Sequence, residues 1–145
     1  MTEFVSYDEI PEIIRINRKI VTDRNESFGV DEKKIYDIIN SVNAPLDQSS
    51  INLRERIVRR ASIMLARITW EQPFSNGNKA TALYFTIQYL KKNKFDLLIS
   101  GNRTIQKKLF HLLEDTSLKF EGENIIDDVL RFLNENVIDF KFTDW

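Results

Sequence analysis

The sequence predicts an all-α fold, a helical bundle around a buried central helix. Three observations predict it. Apolar residues recur mostly every three or four positions, only 4 Gly and 3 Pro punctuate 145 residues, and 42% of the chain is hydrophobic. A chain of this size buries about 70% of the surface its unfolded form exposes, so one domain spanning 1–145 can form its core without metal or disulfide support.

The first helix is expected to start after Ser6, whose spacing to Glu9 is that of a capping box, with Pro11 in the first turns where a missing N–H costs little. Ile10, Ile13, Ile14, Asn17, Ile20 and Val21 then share one face, and the helix ends near Arg24. A second helix runs from Asp31, its cap, to about Ser41 and turns Ile35, Ile38, Ile39 and Val42 inward. Residues 43–50 read as a loop. A long third helix from about Asn52 to Trp70 buries Ile57, Val58, Ala61, Met64, Leu65 and Ile68, and Pro73 stops it. From about Asn78 to Leu90 the chain is apolar almost all round, which predicts a helix enclosed by others. Residues 95–99 read equally as a short extended piece or a connector. Two further helices, 104–115 and 124–136, precede a tail in which Phe140 and Phe142 are positioned to fold back.

Charge and composition exclude several functions. The 21 Lys+Arg against 22 Asp+Glu leave a formal charge of −1, which argues against a general nucleic-acid binder. The absence of cysteine excludes thiol catalysis and thiolate metal sites, and a single histidine, His111, excludes a His–His metal motif. The N-terminus has neither a basic nor an apolar leader region, and no run of about 18 apolar residues occurs. No membrane association is expected, and the cytoplasm is the expected location.

The strongest turn signal is residues 72–78, Gln-Pro-Phe-Ser-Asn-Gly-Asn, leading into the fourth helix. A sharp turn at Gly77 presents unpaired N–H groups at the positive end of a helix dipole, and Lys79 adds a full charge. Asn76-Gly77-Asn78-Lys79 therefore reads either as a phosphate cradle or as an ordinary turn entering a core helix.

The wider stretch 70–82, WEQPFSNGNKATA, resembles the signature HPFxDGNKRTA of the Fic/Doc family. Pro73, Phe74, Gly77, Asn78, Lys79, Thr81 and Ala82 match it, while Gln72, Asn76 and Ala80 stand where the signature has His, Asp and Arg. The resemblance extends from the first helix to about Leu133, in the short form typical of Doc-like members. It implies a Fic/Doc-type bundle, with residues 43–50 as a flap or hairpin that positions a target segment by strand addition. In active members the His is the base toward a target hydroxyl, the acid holds Mg²⁺, the Gly-Asn segment forms an anion hole and the Arg clamps phosphate. The activity implied is transfer of AMP or phosphate from a nucleoside triphosphate to a protein hydroxyl.

The three replacements weaken that activity. An amide at Gln72 takes no proton at neutral pH, which removes a base contribution of about 10²- to 10⁴-fold. Asn76 offers a neutral carbonyl where Mg²⁺ prefers a carboxylate, so Mg²⁺ is a poor cofactor here. Ala80 removes a bidentate phosphate partner that Lys79 cannot replace as a point charge. What remains is an impaired transferase site that binds ATP, another nucleotide or phosphate through Gly77, Asn78 and Lys79, with Pro73 and Phe74 anchoring the turn. Glu71 is the candidate substitute base. The alternative is a non-catalytic interaction module or a toxin-antitoxin-type protein whose partner is a protein target or an antitoxin.

Other features read two ways. Arg54, Arg56, Arg59, Arg60 and Arg67 form either a solvated basic face or a surface for a nucleic acid or an acidic partner, including the region of Asp127, Asp128 and Glu135 in a second copy. Residues 117–122 loosely match the family's inhibitory motif, but Glu121 lacks its expected arginine partner at Ala80. His111 reads as a packing or surface histidine, and Trp70 as core.

Overall fold

The structure, a computed structural model, describes residues 3–46, 51–99, 102–118 and 122–140. The flap position in residues 43–50 is described only to Leu46, and Glu121 and Phe142 lie outside the described residues.

The predicted capping box forms. Ser6 Oγ accepts from Asp8 N at 3.1 Å, and Glu9 Oε2 accepts from Ser6 N at 3.2 Å. The turn it opens is 3₁₀, Tyr7–Glu9, and α1 follows as Ile10–Asp23 with Pro11 in its first positions. Helix α1 buries Ile10, Ile13, Asn17 and Val21, adds Ile16, and leaves Ile14 and Ile20 partly buried at the edge of the stripe. Helix α2, Glu32–Asn43, is capped by Asp31 and buries Ile35, Ile38, Ile39 and Val42. Asn52 caps α3, Leu53–Glu71, by accepting from Glu55 N at 2.9 Å. Helix α4 is Asn78–Lys92, α5 Arg103–Leu118 and α6 Gly122–Asn136.

The ambiguous 95–99 segment contains a strand. Strand β1, Phe95–Leu97, pairs antiparallel with β2, Val137–Asp139, in the register Phe95↔Asp139, Asp96↔Ile138 and Leu97↔Val137. This two-stranded ribbon is a minor addition, and the fold is all-α as expected.

One expectation about the interior needs correction. The helix at the centre is α3, which packs against α2, α4, α5 and α6. Helix α4 packs against α1, α3 and β1, but its Tyr84 is 59% exposed and Leu83 and Ile87 are only partly covered. An apolar circumference records what a helix can bury; how many neighbours reach it depends on the path of the chain.

The expected arginine face is also corrected, because most of its members turn onto protein groups. Arg60 is buried, with Nε 3.0 Å from Glu3 Oε2 and Nη1 donating to the carbonyls of Val42 and Ala44 at 2.6 and 2.9 Å. Arg56 Nε reaches the other Glu3 oxygen at 3.2 Å, and Arg54 donates to Val137 O at 3.0 Å. The Tyr89 hydroxyl donates to Glu3 O at 2.5 Å, which ties the N-terminal segment across α3 and α4. Burial raises the pKa of the Glu3 carboxyl, but hydrogen bonds and charge from Arg60 and Arg56 outweigh it and hold the group below the usual carboxylate range. Among the described residues, no helix is long and apolar enough to cross a membrane.

Candidate functional site

The loop from α3 to α4 is held in place by backbone geometry and side-chain clasps. Gln72 ends α3 in the left-handed conformation, φ 50°, with its N–H donating to Ile68 O at 3.2 Å. The chain then runs alongside the segment before α2: Asp31 N donates to Pro73 O at 2.7 Å and Ser75 N to Gly29 O at 3.0 Å. Phe74 is buried, and the Asn78 side chain clasps its backbone, accepting from Phe74 N at 2.9 Å and donating to Phe74 O at 2.8 Å. Pro73 and Phe74 are thus tied through their backbones to the segment before α2 and to Asn78.

Gly77 caps α4 at φ 73°, ψ 19°, where a side chain is strained. A Cβ there would lie 3.2 Å from Asn17 Nδ2 and from Val21 Cγ1. Asn17 is buried on α1 and fastens the turn, donating to Asn76 O at 2.8 Å and to Thr81 Oγ1 at 3.1 Å. The apolar period of α1 places Asn17 on the inward face, and this pair of bonds accounts for a polar residue there.

A cleft of about 430 Å³ opens at this helix entrance. Gly77, Asn78, Lys79 and Ala80 border it from α4, and Gln72 stands exposed at its edge. Helix α5 supplies the facing wall through Leu109, Phe110 and Leu113. Gly77, Asn78, Lys79 and Gln72 are therefore brought together around one cleft. The amide side chain of Asn78 is occupied by Phe74, so what Asn78 offers the cleft is backbone. Lys79 Nζ lies 2.6 Å from Glu114 Oε1 on α5.

Two expected participants lie elsewhere. Asn76 does not border the cleft; its Nδ2 donates to Ser27 O at 2.9 Å, so its side chain stitches the turn to the loop after α1. Glu71 does not border it either, and its carboxylate pairs with Arg67 at 3.1 Å. Its position off the cleft and its pairing with Arg67 remove the geometric case for Glu71 as a substitute base. His111 is exposed on α5. Among the described residues, no three acidic or histidine side chains gather into a metal site.

Sequence reasoning missed Arg24, which caps the C-terminus of α1 and lines the cleft. It also missed the α5 wall. The sequence marks Arg24 only as the end of a helix, and nothing in its neighbours points to the turn at Gly77. Comparison with protein-family models, with curated proteins and with solved structures found no significant match to this chain.

Proposed function

We propose that this chain is a Fic/Doc-like protein that keeps a phosphate-binding cleft and has lost group transfer, taking a nucleotide or another phosphate-bearing ligand at Gly77, Asn78 and Lys79. The observation that carries this reading is the open cleft at the entrance of α4. The first N–H groups of a helix have no intrahelical acceptor, and the helix dipole adds partial positive charge, so the cleft floor favours an anion.

The loss of transfer follows from the replaced groups. Gln72 stands at the cleft edge as an amide with no proton affinity at neutral pH. Asn76 is neutral and engaged with Ser27. Ala80 carries no charge. With base, metal ligand and clamp replaced, neither ATP activation nor hydroxyl activation has a group to perform it.

Titration of the ¹⁵N-labelled protein with AMP and ATP tests the binding. The Gly77, Asn78 and Lys79 amides shift first on this reading, and saturable shifts confined to another surface would overturn it. Labelled ATP with cell lysate tests the loss of transfer: wild type and Gln72→Ala leave equal background. Modification of a protein by wild type alone would refute it. Exposed Tyr84 and Phe110, the latter at the cleft rim, favour a second reading as an interaction module or antitoxin-binding protein. A tight protein partner that covers both rings and is indifferent to nucleotide would select that reading.

A further inference from the structure

The cleft divides into an apolar wall and a cationic edge. The wall is Leu83 of α4, Ile99 of the connector, and Leu109, Phe110 and Leu113 of α5. Thr69, Gln72 and Gln106 also border the cleft, but apolar side chains predominate, so an aromatic or aliphatic ligand body is favoured against the wall. Among the described residues, the edge has two cations, Arg24 and Lys79, and no carboxylate borders the cleft. These cations are not equivalent. Lys79 Nζ is 2.6 Å from Glu114, so reaching a ligand means leaving a carboxylate. Arg24 Nη1 stands 4.0 Å from Glu26 Oε1, beyond hydrogen-bond reach, and its side chain is 56% exposed. Its planar donor edge is therefore available for bidentate contact with a phosphate.

From this we infer that the cleft takes a singly phosphorylated ligand with an aromatic or apolar body, bound without a metal, and that Arg24 fixes its phosphate. The inference rests on the proposed cleft reading and narrows it to a ligand class. A phosphate monoester carries up to about two negative charges, which one guanidinium and a helix entrance can balance. A triphosphate carries about twice that charge. It would meet two cations that each have a glutamate nearby, and among the described residues no carboxylate lines the cleft to hold a charge-neutralising Mg²⁺. Arg24 thus supplies from α1 a guanidinium that Ala80 does not supply from α4.

Calorimetric titration of the full chain with phenyl phosphate, inorganic phosphate, AMP, and ATP with Mg²⁺ tests this. Phenyl phosphate and AMP bind saturably, inorganic phosphate binds about tenfold or more weaker than phenyl phosphate, and ATP with Mg²⁺ binds no tighter than AMP. Arg24→Gln weakens phenyl phosphate about tenfold or more, the value of a lost charge-assisted bond, while the melting temperature of the free protein is unchanged. ATP with Mg²⁺ binding more than tenfold tighter than AMP, or an Arg24→Gln variant of unchanged affinity, would overturn the inference and leave nucleotide binding at the cleft standing. Failure of every phosphate probe to bind would bring down both.

Discussion

Arg60 and Arg24 each stand near a glutamate, yet they do different work. Arg60 is 3% exposed and uses its guanidinium on Glu3 and on two carbonyls near the end of α2. Arg24 faces an open cleft with a glutamate only at 4.0 Å. Burial makes the first arrangement part of the fold, because neither charge can return to water without opening the bundle. Exposure leaves the second open to a ligand, at little cost to the fold. The same residue type is a structural bolt in one region and a solvated group bordering the cleft in the other, and its burial decides which.

The largest expected effect comes from breaking the buried side of this comparison. Arg60→Ala leaves the Glu3 carboxylate with Arg56 alone and two carbonyls without their donor, and is expected to cost about 3 kcal/mol in urea unfolding. The same pair has a pH signature. The Glu3 pKa in the folded chain lies below its ordinary value of 4.5, so its contribution is present above pH 4.5 and is lost as pH falls through the depressed folded value. Glu3→Gln should flatten that acid limb in melts taken at decreasing pH.

Asn17→Ala sharpens the comparison at the floor of the cleft. It removes buried bonds to Asn76 O and Thr81 Oγ1, for an expected loss of about 2 kcal/mol, and the amide signals of the Gly77 turn should broaden or move. Gly77→Ala forces a Cβ into the left-handed region against Asn17 and Val21, at about 1–2 kcal/mol by thermal unfolding. Arg24→Gln gives the smallest change in stability, within about 0.5 kcal/mol, because its side chain packs little and is largely solvated. A loss comparable to that of Arg60→Ala would make Arg24 a second bolt and abolish the contrast.

Much of the helical layout is legible residue by residue. Asp31, Asn52 and Ser6 sit at helix starts because their short oxygens satisfy the first free N–H groups, a purely local requirement. The inward quartet of α2 follows from its period alone. The motif residues Gln72, Gly77, Asn78 and Lys79 also gather as their spacing implies, since a turn of a few residues carries them together whatever the rest of the chain does.

The sequence by itself determined the helix starts, the inward stripes and the tight turn into α4, because each depends on bonds and periods within a few residues. Only the tertiary structure decided that α3 and not α4 lies at the centre, that 95–97 finds a strand partner at 137–139, that Asn76 turns toward Ser27, and that Arg24 arrives at the cleft. Those outcomes join segments far apart in the chain. Local propensity does not encode which distant group lies opposite, whether a neighbouring carboxylate is within reach, or how much water remains between them.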